Sequence, residues 1–156
     1  METNPATIDL DLWMESNYPI EKLWAMVLLL ALKDRARCVN YNPALGDMAL
    51  TYEVDGVEYA MVPPPDFMAK EIEKQMRDAL VPPPLWRRLI GRWLSLVSVD
   101  NRAAYLKLGA IKALIRGTTD PENVTVSLFF TAESPLADAA RNALDRSRAR
   151  TREAEV

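Results

Sequence analysis

Few residues of this 156-residue chain are equipped for chemistry. Cys38 is the one cysteine, and Arg35 and Arg37 precede it. A thiol becomes a nucleophile when a base or a positive pocket lowers its pKa; otherwise it packs as a small apolar group, and that is the expectation for Cys38. There is no histidine, which removes imidazole base catalysis, the Ser-His-Asp triad and the common zinc sites. Glu53 and Asp55 form a carboxylate pair, but their alternate spacing on a strand is ordinary. The glycines, Gly46, Gly56, Gly91, Gly109 and Gly117, stand singly, and neither G-x-x-x-x-G-K-[ST] nor G-x-G-x-x-G occurs. No glycine-rich phosphate loop can be built from them. The expectation is a chain that is not an enzyme, that carries no metal and no cofactor, and that works by binding.

Two groups of residues could do that binding. Trp86 and Trp93 are seven positions apart, and so share one side of a helix, with Arg87 and Arg92 flanking them. Tryptophan is enriched at binding hot spots, and a basic amphipathic helix can also rest on an anionic membrane. The same apolar face would equally serve to cover a sheet. The second group is basic: residues 77–116 hold Arg77, Arg87, Arg88, Arg92, Arg102, Lys107, Lys112 and Arg116 against Asp78 and Asp100. Within it, Arg102 with Lys107 or Arg116 would suit a nucleotide phosphate. Ordinary solvated faces account for such a run as well.

These residues need a frame. Pro19 opens a helix over about 19–36, capped by Ser16 or Asn17, with an apolar stripe broad enough to be buried. Three strands follow, at 38–42, 48–54 and 57–62. Pro43 ends the first, Gly46-Asp47 turns the chain, and Asp55-Gly56 is a hairpin signal that places positive φ at Gly56. Pro63-Pro64-Pro65 starts a helix over 65–80, whose Met68, Ile72, Met76 and Leu80 fall on one core-facing line. Pro82-Pro83-Pro84 breaks it, and the tryptophan helix spans 85–97. Residues 103–108 and 110–116 pair across Gly109, residues 117–123 form a linker, Val124–Thr131 alternates as a strand, and a helix occupies 135–150.

Length and composition fit one domain with its own core: 49% of residues are hydrophobic and 26% charged, with net charge −3. No overall basic footprint for nucleic acid is present. One cysteine forbids an internal disulfide, the N-terminus lacks the basic start of a signal peptide, and the longest apolar run, Leu23–Leu32, is half the roughly 20 residues of a membrane span. A cytoplasmic location is expected.

One stretch goes beyond a generic helix–strand pattern. It reads Leu30-Ala-Leu-Lys-Asp-Arg-Ala-Arg-Cys-Val-Asn-Tyr-Asn-Pro43, then Leu50-Thr-Tyr-Glu-Val-Asp-Gly-Val-Glu-Tyr-Ala-Met-Val-Pro-Pro-Pro65. This resembles the N-terminal regulatory domain that precedes the motor domain of type II secretion and type IV pilus assembly ATPases. There a helix leads into an Ala-Ser-Asp-Ile-His-Ile-Glu-Pro strand, followed by an Arg-Tyr-Arg-Ile-Asp-Gly hairpin and a proline-rich helix start. The similarity covers residues 19–80 and continues weakly through Asp100-Asn101-Arg102, which is similar to the family's Gln-Asp-Gly-Arg turn. The family's histidine and glutamate are Asn40 and Asn42 here, and its hairpin arginine is Glu53, a reversal of charge. Of the two arginines that the family directs at nucleotide phosphates, only the second has a counterpart, Arg102. The motor domain has none within the chain.

The expected fold is α+β, an antiparallel sheet with packed helices, and the resemblance admits a PAS-like shape. Residues 1–18 are expected as an N-terminal arm, mobile or serving as a short docking segment, 19–131 as the single domain, and 132–156 as a C-terminal helix or tail. The resemblance implies a regulatory or adaptor domain whose partner is a secretion or pilus motor ATPase, with Trp86, Trp93, Arg87 and Arg92 as contact candidates and self-association open. One alternative is a nucleotide-binding helper acting in trans through Arg102. Another is a small acidic secretion chaperone.

Overall fold

The structure is a computed structural model, and it describes residues 6–80, 102–130 and 136–154. The expected helix 85–97, with Trp86, Arg87, Arg92 and Trp93, lies outside the described residues.

The fold is α+β, as the sequence leads one to expect. Its sheet contains strands β1 (Ala6–Asp9), β2 (Cys38–Tyr41), β3 (Leu50–Val54), β4 (Val57–Ala60), β5 (Arg102–Leu108), β6 (Ile111–Asp120) and β7 (Thr125–Phe130). Their order is β1-β5-β6-β7-β2-β3-β4. Only β1 with β5 is parallel; the other neighbours are antiparallel. The described helices are α1 (Leu10–Glu15), α2 (Pro19–Lys33), α3 (Ala69–Ala79) and α4 (Leu136–Ala154).

Helix α2 is the hub. Pro19 supplies its first turn, and Ile20, Trp24, Ala25, Val27, Leu28, Leu29, Ala31 and Leu32 are all buried. It packs against α1, α3 and α4. The indole Nε1–H of Trp24 donates to the Ile72 carbonyl at 3.0 Å, which fixes α3 against α2. The cap differs from expectation: Tyr18 takes the N-cap position without a side-chain bond, and Ser16 Oγ instead accepts from the Tyr18 N–H at 3.0 Å. Of the expected line, Ile72, Met76 and Leu80 are buried; Met68 is half-buried and lies in a 3-10 turn over Asp66–Met68, because the α-helix begins at Ala69 and not at 65. At the Asp55-Gly56 hairpin both residues have positive φ, 51° and 81°, the pair that a type I′ turn requires.

Two expectations are corrected. Of the two readings of the N-terminal arm, the mobile one fails for residues 6–15, which dock on the domain. Ile8 is 1% exposed and Leu10 is fully buried, and β1 pairs with β5 in the register Ile8 to Leu106. Asp9 caps α1 by accepting from the Leu12 N–H, its carboxylate lies 3.7 Å from Lys107 Nζ, and Asp11 accepts from the Gly109 N–H at 2.8 Å. The acidic N-terminus thus answers part of the basic run on β5. A parallel strand whose partner lies almost a hundred residues away leaves no local trace in the sequence.

The second correction concerns residues 117–123. They are not a linker: β6 continues to Asp120, and the turn follows, with the Asp120 carboxylate accepting from the Glu122 and Asn123 N–H groups and from Asn123 Nδ2. Gly117 is a strand residue paired with both Arg102 and Leu128. A Cβ there would stand 2.8 Å from Leu128 Cδ2 and from the Ser127 carbonyl oxygen. The glycine marks a close approach rather than a loop. The C-terminal helix is present as α4, and it docks on α2 through Leu136, Ala140, Ala143 and Leu144.

Candidate functional site

Strand alternation sorts the sheet into two faces. On one, Ile8, Val39, Tyr41, Leu50, Ala104, Leu106, Ile115, Val126 and Leu128 join the core beneath the helices. The opposite face is built from the residues between them. Its central row follows the strand register across the sheet: Ala103, Arg116, Phe129, Cys38, Glu53 and Glu58. A second row reads Thr118, Ser127, Asn40, Thr51 and Ala60. Tyr105 beside Leu114, and Lys107 beside Lys112, complete it on β5 and β6.

Among the described residues no helix lies over this face, and its charge is graded. The β5–β6 side carries Lys107, Lys112 and Arg116, and the β3–β4 side carries Glu53 and Glu58. Between them, on β7, Phe129 stands 45% exposed, and on the basic side, on β5, Tyr105 is 36% exposed. The small polar groups satisfy one another. Ser127 Oγ–H donates to Asn40 Oδ1 at 2.9 Å, Asn40 Nδ2 to Cys38 Sγ at 3.7 Å, and the Cys38 thiol to Glu53 Oε2 at 3.5 Å. Thr51 Oγ1–H donates to Glu58 Oε1 at 2.7 Å. Glu53 and Glu58 are thereby held in place.

Cys38 is no nucleophile in this setting. Burial pushes its thiol up, and the Glu53 carboxylate adds to the shift through its hydrogen bond and its charge; Asn40 and Arg37 pull the other way and lose. A thiol held protonated next to a carboxylate behaves as a packed donor. Glu53 and Asp55 do not form a catalytic pair either. Glu53 is engaged by Cys38, and Asp55 lies in the hairpin turn with positive φ.

The structure separates the basic residues that sequence spacing groups together. Arg102 is on the helix side of the sheet, where its Nη1 donates to the Arg77 carbonyl at 3.1 Å. That carbonyl belongs to the last turn of α3, whose orphan carbonyls favour a cation. Lys107 is ion-paired to Asp9, and Arg116 is exposed on the opposite face. The sheet stands between Arg102 and Arg116, so they do not converge on one phosphate. Beside Arg102 lies Glu73, 3% exposed, with Oε1 3.5 Å from Arg77 Nε but without a hydrogen bond. Burial raises its carboxyl pKa against the opposing pull of Arg77 and Arg102.

Phe129 and Tyr105 escaped the sequence reading, although a signal existed for one of them. Once Val126, Leu128 and Phe130 are assigned to the core, Phe129 must face the other way, and a large aromatic there needs a reason. Among the described residues no group of three or more His, Cys, Asp or Glu side chains could hold a metal ion, and no helix is long and apolar enough to cross a membrane. No protein-family model matches the chain, and no curated protein matches it.

Proposed function

We propose that this chain is a protein-binding domain that docks through the face of its sheet opposite the described helices. The observation that supports this most is Phe129, a large aromatic 45% exposed within a polar row, with Arg116 on one side and Cys38, then Glu53, on the other. An aromatic anchor inside a charged rim is the anatomy of a specific interface. The rows of opposite charge on its flanks would set the orientation of the partner. The resemblance of residues 19–80 to the regulatory domain of secretion and pilus assembly ATPases names the partner class: a motor ATPase of that kind, for which this chain is a cytoplasmic adaptor or regulator. The in-trans nucleotide reading has less support, because Arg102 is engaged at the end of α3.

The test is a titration of isotope-labelled chain with such an ATPase from the same host, followed by amide chemical shifts. Shifts are expected on β6, β7 and β2, and Phe129→Ser should abolish them while leaving the folded spectrum intact. Absence of any shift removes the motor ATPase as partner. Shifts confined to the helices would refute the docking face itself.

A further inference from the structure

The sheet ends at β4, and among the described residues nothing pairs with the outer edge of that strand. The backbone pattern states which groups are left over. The Met61 N–H bonds to the Leu50 carbonyl at 2.8 Å, and the register joins Tyr52 to Tyr59 and Val54 to Val57. Residues 57, 59 and 61 therefore turn their N–H and C=O groups inward to β3. Those of Glu58 and Ala60 point out of the sheet, as antiparallel alternation requires. Free edges are usually guarded by charged side chains, lysine above all, by proline or by a bulge. Here the stretch 57–61 has no lysine and no proline, the prolines beginning only at Pro63, and its one charge, Glu58, is engaged by Thr51 at 2.7 Å. All four residues of β4 are exposed, with Val57 at 52% and Tyr59 at 48%, and Phe67 nearby in sequence at 85%.

We propose that β4 is a homodimerisation edge, pairing antiparallel with β4 of a second copy about a two-fold axis through Tyr59. The occupant must be a strand, because the unmet groups are backbone N–H and C=O. It is a second copy because the segment is self-complementary in that register. Tyr59 faces Tyr59 of the second copy, Val57 faces Met61, and Glu58 faces Ala60. Apolar side chains thus meet apolar ones on the helix side, and no like charges stand directly opposite on the other. The N–H and C=O groups of Glu58 bond with those of Ala60 in the second copy, and the reverse. Tyr59 is already positioned for this, stacked on Tyr52 at 5.6 Å between ring centroids. Glu58 is held by Thr51. Pairing β4 with itself also closes the assembly, whereas pairing it with the β1 edge of the next copy would propagate into a fibre. This surface is the edge of the sheet, distinct from the docking face, and it stands or falls independently of that reading.

The test has two parts. Sedimentation of the wild-type chain should give twice the chain mass, and Ala60→Pro should give a monomer with an unchanged far-UV spectrum. Among the described residues the Ala60 N–H serves no bond, so a proline there removes the donor that the second copy would use. Second, in a Cys38→Ser background, Tyr59→Cys should form an intermolecular disulfide under mild oxidation. Residues opposed at a non-hydrogen-bonded site have Cα atoms about 4.5 Å apart, inside the roughly 4.4–6.8 Å that a disulfide accepts. Val57→Cys, which faces Met61, should not cross-link to itself. A wild-type chain that sediments as a monomer at every concentration overturns the proposal. So does a dimer that survives Ala60→Pro, or one in which Tyr59→Cys fails to cross-link.

Discussion

Gly117→Ala should destabilise the domain although it adds a single methyl group. The new carbon would lie 2.8 Å from Leu128 Cδ2, 2.8 Å from the Ser127 carbonyl oxygen and 3.0 Å from Leu80 Cδ1. Carbon atoms prefer separations of about 3.5–4.0 Å, so every contact is too short. Relief is hard to find. Leu128 is fully buried, Leu80 is 1% exposed, and Ser127 is held in the β6–β7 ladder opposite Thr118. Overpacking of this kind costs about 1–3 kcal/mol. Against it, alanine lowers the entropy of the unfolded chain, worth about 0.4–1 kcal/mol. The net expectation is a loss of about 1–2 kcal/mol, or about 2–8 °C in Tm for a chain of this length. Urea unfolding followed by far-UV circular dichroism should show a lower midpoint with an unchanged slope. Leu80→Ala in the same chain should cost less in the Gly117→Ala background than in the wild type, because it vacates the space that the methyl needs. An unchanged or raised midpoint for Gly117→Ala would refute the close-approach argument.

Gly56→Val should cost about 1 kcal/mol or more, since the turn holds residue 56 at φ 81°; an unmoved denaturation midpoint would contradict this. Trp24→Phe keeps most of the packing but loses the indole bond to the Ile72 carbonyl, and thermal unfolding should report a loss of about 1–3 kcal/mol. Glu73 links stability to pH with a definite sign. Its folded pKa is raised by burial, so its contribution to stability is fully present below the pKa of the unfolded chain and is lost as pH rises through the folded value. Glu73→Gln should therefore be more stable than the wild type near neutrality, with the gap closing under acid. Unfolding midpoints across that range would show the opposite trend if the Arg77 pairing dominated.

The elements with strong local causes were legible in the sequence. Helix α2 was visible because its apolar stripe repeats with the helical period and Pro19 opens it. The β3–β4 hairpin was visible because Asp55-Gly56 admits the positive φ that the turn demands, and α3 because its apolar line recurs every fourth residue. The missing histidines and phosphate loop directed attention to binding for equally local reasons. What sequence could not decide depends on contacts between distant segments. Ile8 and Leu10 look like scattered apolar residues in a polar arm until β5 supplies the edge on which β1 pairs. Gly117 looks like a loop residue until Leu128 and Leu80 close over it. Arg102, Lys107 and Arg116 look like one basic cluster. Strand alternation then sends Arg102 to the helix side and the other two to the opposite face, and a helix end and Asp9 claim two of the three charges. Residue types and their spacing determine which elements form, because those preferences act over a few residues. Which face each residue joins, and which charges are already spent, is settled only when the strands choose their neighbours.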